Sequence, residues 1–399
     1  MNPNLALLQP YPFQKLKTLF QGLTPRVGYP QVSLSIGEPK HATPAFIQRA
    51  LADNLSGLAR YPATAGTLEL RQSISSWLAS RYQLKDLNSD TQVVPVNGSR
   101  EALFAFAQTV VDHTRPGAAV VIPNPFYQIY EGAALLAGAR PEYLNLSPED
   151  GFRPHLAQLP DEVWQRTQLI YVCSPGNPTG AVMGIEDWRA LFELSEKHGF
   201  VIASDECYSE IYFDEAHPPL GSLQAAQQLG LRSYARLVAF GSLSKRSNVP
   251  GMRSGFVAGD AAVLERFLLY RTYHGCAMNP AIQAASEVAW KDESHVVENR
   301  RKYAAKFAAA VKELRDVTHV DMPDAAFYLW VRTPMDDQAF AQQLYARHNV
   351  IVLPGSYLAR EARGVNPGKN FVRIALVAEY DECMDAVRRV KQFYQEIHR

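Results

Sequence analysis

Lys245 stands at the end of a short apolar run, directly behind Ser242-Leu243-Ser244. Lysines are mostly exposed, so one in this position invites a chemical reading. Desolvation lowers the pKa of an amine, and the neutral form condenses with an aldehyde to give an imine. Four other apolar runs end in polar or aromatic groups in the same way. Val96 is followed by Asn97-Gly98-Ser99-Arg100, which opens a helical pattern. Ile122 is followed by Pro123-Asn124-Pro125-Phe126-Tyr127, and Cys173 by Ser174-Pro175-Gly176-Asn177-Pro178-Thr179-Gly180. Ser204 is followed by Asp205-Glu206-Cys207-Tyr208. Singly, these read as a surface lysine, a connector, a packing tyrosine, a turn and a helix cap. Five in chain order, each at the end of an apolar run, call for a common explanation.

One phosphorylated, aromatic, aldehyde-bearing ligand gives every group a task. Gly98-Ser99-Arg100 begins a helix, where free N–H groups and the positive dipole end hold a phosphate. Ser242, Ser244 and Arg253 add hydroxyl and guanidinium donors to that phosphate. Tyr127 stacks on a ring. Asp205, closing a buried strand, pairs with a protonated ring nitrogen, while Asn177 and Tyr208 donate to a ring phenolate. Pyridoxal 5′-phosphate (PLP) needs this set: a lysine for its aldehyde, a carboxylate on its pyridine nitrogen and a phosphate cup.

The elements that must position these groups alternate. Apolar runs at Gln92–Val96, Ala118–Ile122, Leu169–Cys173, Phe200–Ser204, Arg236–Phe240 and Gly255–Ala258 read as buried strands. Helical stretches such as Ser99–Val111 and Glu186–His198 separate several of them, which predicts a mostly parallel sheet covered on both faces. Ligands of such sheets bind beyond the carboxyl ends of the strands. Residues 1–35, punctuated by Pro10, Pro12, Pro25 and Pro30, read as an arm with one helix near Phe13–Gln21. Residues 36–285 form the large domain. Residues 286–399 read as a smaller α+β domain, with helices at Glu298–Asp316, Asp336–His348 and Asp381–Ile397 and strands at Ala326–Val331, Val350–Leu353 and Phe371–Leu376.

Composition removes whole classes of function. The 399 residues carry 40 Lys+Arg against 40 Asp+Glu, with no basic excess to displace counterions from nucleic acid. No apolar run approaches the ~20 residues that span a bilayer, and Met1-Asn2-Pro3-Asn4 does not begin a secretory signal. Four cysteines without a CxxC pair suit a reducing cytoplasm. Dinucleotide, P-loop, zinc and Gly-x-Ser-x-Gly fingerprints are missing, so no metal is expected.

The chain resembles the class I/II PLP-dependent aminotransferases over nearly its whole length. The resemblance rests on Ser35-Ile36-Gly37-Glu38-Pro39, Tyr61–Gly66, Asn97–Ala102, Pro125-Phe126-Tyr127, Ser174–Gly180, Asp205–Tyr208, Ser242–Lys245 with Gly251-Met252-Arg253-Ser254-Gly255, and Phe371-Val372-Arg373. It implies PLP fold type I: a mostly parallel seven-stranded sheet with helices on both faces, plus the smaller α+β domain. It also implies that Lys245, Asp205 and Tyr208 are catalytic and that Arg373 grips the substrate α-carboxylate beside Gly37 and Asn177. Tyr61 is implied to reach the phosphate in a partner's site, hence a homodimer with shared sites acting on amino acids and 2-oxo acids. From the residues alone, Arg373 is an odd charge in an apolar run that needs an anionic partner.

A PLP-dependent β-lyase would use the same Lys, Asp and Arg, so that reading stays open. A ligand-sensing regulator is rejected, because no helix-turn-helix pattern precedes the core motifs. Asn2–Leu16 and Ser33–His41 resemble, more finely, proteobacterial succinyldiaminopimelate transaminases of lysine biosynthesis, which use 2-oxoglutarate as acceptor. That substrate's distal carboxylates call for a second cationic or donor group, with Arg26, Lys40, Arg271 and His274 as candidates. A broad-specificity alanine or aromatic transaminase is the alternative.

Overall fold

In the computed structural model, which describes residues 1–231 and 233–398, twelve strands form three sheets. In chain order they are β1 (Val32–Ser33), β2 (Val93–Val96), β3 (Ala119–Asn124), β4 (Arg140–Asn145), β5 (Thr167–Cys173) and β6 (Val201–Asp205). They continue with β7 (Leu237–Ser242), β8 (Gly255–Gly259), β9 (Tyr328–Arg332), β10 (Val350–Ile351), β11 (Leu353–Pro354) and β12 (Phe371–Ala375).

The largest sheet has seven strands in the order β2-β8-β7-β6-β5-β3-β4. Strands β7, β6, β5, β3 and β4 pair in parallel, while β8 runs antiparallel to both neighbours, β7 and β2. The central strands are buried along their length, which is why they read as unbroken Val, Ile, Ala and Phe runs. Six of the seven strands match the apolar runs. The seventh, β4, escapes that reading because it is an edge strand, Arg-Pro-Glu-Tyr-Leu-Asn, whose polar residues keep its open side in water.

Parallel pairing puts the carboxyl ends of β3, β5, β6 and β7 on one edge of the sheet. Strand β2, antiparallel to β8 as β7 is, ends on the same edge. The helix Ser99–Val110 follows β2 with Gly98 as its N-cap at φ +81°. That positive φ favours glycine, and a Cβ there would also force the Arg253 guanidinium to shift.

Strands β11-β12-β9 make an antiparallel sheet, packed with the helices Ser294–Leu314, Asp337–His348 and Tyr380–Ile397 around a second apolar core. The predicted strand Val350–Leu353 is in fact two: β10 pairs with β1 of the N-terminal segment, and β11 with β12. The helix Pro12–Leu19 lies where Phe13–Gln21 was expected and buries Leu16 against Leu353 and Leu358. We keep the division into 1–35, 36–285 and 286–399 as a proposal. It is supported by the separate cores, although Cys207, Tyr208 and Ile211 pack into the second one. Among the described residues no helix is long and apolar enough to cross a membrane.

Candidate active site

The residues that end β5, β6 and β7 (Cys173, Asp205 and Ser242) line a cavity of about 480 Å³. Twelve of the fourteen site residues read from the sequence also line it: Gly37, Ser99, Arg100, Tyr127, Asn177, Asp205, Tyr208, Ser242, Ser244, Lys245, Arg253 and Arg373. Gly98 lies against the Arg253 guanidinium at the cavity's edge. Tyr61 is outside the cavity of its own chain and fully exposed.

Lys245 sits in a single helical turn, Leu243–Arg246, that begins where β7 stops. Its Nζ donates to the carbonyl of Gly37 at 3.0 Å and lies 5.7 Å from the centre of the Phe327 ring. Burial lowers its pKa to about 8, and the charges of Arg253 and Arg373 act the same way. About one lysine in ten is then neutral at pH 7, against fewer than one in a thousand for an ordinary one. Asp205 is 4% exposed. Its Oδ2 accepts from Tyr130 Oη at 2.6 Å and its Oδ1 from the Cys207 N–H at 3.2 Å. Burial nevertheless pushes this carboxyl above the usual carboxylate range, so a cation placed beside it would be strongly favoured.

Further donors line the cavity. Ser99 opens its helix there, and Ser242 Oγ accepts the Ser244 N–H at 3.1 Å. Arg253, held in the left-handed region at φ +54°, donates to Pro250 O at 2.9 Å and still lines the cavity. Arg100 Nε donates to Tyr127 Oη at 2.7 Å.

Arg373, on β12, is 4% exposed. It donates to Asn177 Oδ1 at 2.9 Å and to Ser35 O at 2.6 Å, with its guanidinium 4.3 Å from the centre of the Tyr328 ring. Among the described residues no carboxylate pairs with it, and its Nε has no partner. A buried guanidinium in that state is completed by an anion from outside.

Sequence reasoning missed two groups. Tyr130, three residues after Tyr127, gave no signal beyond its helical spacing. Tyr328 reads as one more apolar strand residue in Ala-Ala-Phe-Tyr-Leu-Trp, yet its hydroxyl meets Tyr208 Oη at 2.9 Å. Burial holds both phenols above their ordinary range, so both remain protonated donors. A Cβ on Gly37 would clash with the Tyr328 hydroxyl, which lets only glycine occupy that wall.

Arg26, Lys40 and Arg271 do not line the cavity, which corrects that expectation; His274 does not line the cavity of its own chain, and its reach across a dimer interface stays a proposal. Arg271 is fully buried and bonds both Glu101 carboxylate oxygens, at 2.7 and 2.8 Å. Lys40 pairs with Glu382 at 3.6 Å on the surface. Arg26 lies over Tyr29, and His274 stacks on Tyr270 at a helix end.

The donor set suits PLP chemically. A carboxylate faces one part of the cavity and a desolvated lysine another, and a helix N-terminus with two hydroxyls and an arginine makes an anion cup. Residues 29–389 match the family model for aminotransferase class I and II. The chain belongs to the class I and II aminotransferases. These are PLP-dependent enzymes, and the chain has their α/β fold type I. It is 30% identical to an LL-diaminopimelate aminotransferase from Maridesulfovibrio salexigens, over 97% of both chains. It is 51% identical to an aminotransferase of known structure from Neisseria meningitidis, covering 99% of this chain and 100% of that one, with a TM-score of 0.96. The aminotransferase AspB of Helicobacter pylori is 34% identical over 97% and 99%, with a TM-score of 0.90.

Proposed function

We propose that this aminotransferase moves the amino group of N-succinyl-LL-2,6-diaminopimelate to 2-oxoglutarate. The observation that carries the reading is the composition of the cavity wall. Tyr11, Pro12 and Phe13, with Ile36, Gly37 and Glu38, belong to the two segments that resemble succinyldiaminopimelate transaminases, and both segments line the cavity. Arg373, completed by Asn177, takes the α-carboxylate.

PLP, when bound, supplies an electron sink for the charge left on the substrate carbon. Lys245 provides the amine that holds the cofactor and, once displaced by substrate, carries a proton from the substrate Cα. Asp205 keeps the ring nitrogen protonated. Tyr208 and Asn177 donate to the ring oxygen, Tyr127 stacks on the ring, and Gly98, Ser99, Arg100, Ser242, Ser244 and Arg253 cradle the phosphate.

A second reading has its own support, since relatives such as that of M. salexigens are named for LL-diaminopimelate itself. The two substrates differ in charge: succinylation removes a distal ammonium and adds a carboxylate. The test is kcat/KM for both, and for alanine and phenylalanine, with 2-oxoglutarate as acceptor. A pocket built for the succinylated side chain should prefer it by roughly a thousandfold over the neutral amino acids. Parity with LL-diaminopimelate selects the second reading, and parity with alanine or phenylalanine selects a broad-specificity enzyme. Cleavage of β-substituted amino acids without glutamate formation selects the lyase.

We further propose a cytoplasmic homodimer in which Tyr61 completes the partner's phosphate cup. Tyr61 is exposed together with Leu5, Leu7, Leu55, Leu58 and Tyr273, an apolar set of the kind that a symmetric interface covers. Sedimentation should give a dimer, and Tyr61→Phe should weaken PLP retention. A fully active monomer would sink this reading.

A further inference from the structure

Outside the cavity lining, the residues that follow Lys245 are tied one after another to the end of the helix Pro280–Lys291, the turn after it and the helix Ser294–Leu314. Arg246 donates to Ala289 O at 2.7 Å and Asp292 O at 3.1 Å and pairs with Glu293. Ser247 Oγ lies 2.8 Å from His295 Nε2, whose Nδ1 lies 2.5 Å from Asp292. Ser, His and Asp meet there as in a hydrolase, but Ser247 is fully buried and reaches no substrate. Asn248 Nδ2 then donates to Asn299 Oδ1 at 3.1 Å.

That same Asn299 oxygen lies 2.7 Å from His41 Nδ1, four residues beyond Gly37. The other nitrogen of His41 lies 2.9 Å from Lys306 Nζ, and Lys306 also donates to Ala378 O at 2.8 Å, five residues beyond Arg373. Asn299 and Lys306 are seven residues apart, two helical turns, and so share one face. The proton positions follow from the partners. An amide oxygen only accepts, so His41 Nδ1 carries the hydrogen and Nε2 accepts from the Lys306 ammonium. Burial and the Lys306 charge both disfavour a second proton on His41.

We propose that Asn299 and Lys306 are positioning residues that set the spacing of the three active-site segments carrying Lys245, Gly37 and Arg373. Inside the cavity these segments already touch, through Lys245 Nζ on Gly37 O and Arg373 on Ser35 O at 2.6 Å. The helix face holds the same three from behind, so the site is fixed on both sides. Stability alone does not call for this arrangement. Lys306 is 1% exposed and bonds a neutral ring and a carbonyl rather than a carboxylate, which is costly to bury. Around it lie the Tyr303 ring at 4.4 Å and the charges of Glu379 and Lys302, with Cys383 beside them.

The proposal rests on the reading of Gly37 and Arg373 as the substrate-carboxylate site, and its test separates the two. PLP-loaded Asn299→Leu should shift the pH midpoint of the cofactor–Lys245 absorbance by about half a unit or more. It should also raise KM for both amino donor and 2-oxoglutarate by about tenfold. Asn299→Asp, which keeps the acceptor, should restore both towards the original values. Lys306→Met should raise both KM values through the Arg373 segment. If Asn299→Leu does not retain the cofactor, Asn299→Ala serves, because it too removes the acceptor shared by Asn248 at 3.1 Å and His41 at 2.7 Å. Loaded variants whose midpoint and KM values stay within about twofold of the original enzyme overturn the proposal. An unchanged KM in Arg373→Gln overturns the carboxylate reading instead, and the absorbance midpoint still decides the role of Asn299.

Discussion

Lys245→Ala is expected to bind PLP without the absorbance of the cofactor–lysine link and to lose activity by roughly a thousandfold or more. The size of the effect follows from two tasks falling on one amine. It anchors the cofactor, and it is the group at the cavity floor placed to carry the substrate proton. The 3.0 Å bond to Gly37 O holds Nζ at the cavity wall, and among the described residues no second lysine lines the cavity. The pH behaviour of the cofactor-free protein gives an independent check. With the pKa lowered to about 8 by burial, condensation of Lys245 with a small aldehyde should speed up about tenfold per pH unit below pH 8. It should level off above that, because protonation removes the attacking lone pair. Stopped-flow absorbance measures this directly. A profile still rising at pH 10, or an active alanine variant, would overturn the assignment.

Asp205→Asn is expected to slow the proton-transfer step by roughly a hundredfold or more while changing PLP affinity far less. Asparagine keeps the shape and can accept from Tyr130 or Cys207, but it cannot hold a positive charge on the pyridine nitrogen. Burial has already made the Asp205 carboxylate costly in the absence of a cation. A cationic ring nitrogen beside it would therefore favour its charged form, and the carboxylate would in return keep the ring an effective electron sink. Single-turnover kinetics with a Cα-deuterated amino donor separates the two quantities. Equal losses in affinity and rate would reduce Asp205 to a packing residue.

Residues that act next to their own strand end were legible. Lys245, Asp205 and Ser242 follow short buried strands, and in a parallel sheet sequence position after such a strand is also position on the binding edge. Gly98 was legible for the same reason, since a strand–Gly–helix turn is a local feature. Arg373 declared itself as a charge in an apolar run, although its partners, Asn177 and Ser35, come from 196 and 338 residues away. The edge strand β4 was lost because an edge is allowed to be polar.

By itself the sequence determined the strand–helix alternation, the edge on which chemistry would occur, the PLP-type donor set and, through its motifs, the aminotransferase family. These are local properties, or properties of chain order, and survive in one dimension. Tertiary structure alone decided that Tyr328 joins Tyr208 and Arg373, and that Arg271 is an internal ion-pair partner rather than a substrate ligand. It also decided that Asn299 and Lys306 hold three distant loops in register. Each of those outcomes depends on which residues meet across tens to hundreds of positions of chain. A tyrosine in a strand, an arginine in a helix and a lysine on a helix face carry no mark of their partners until packing supplies them.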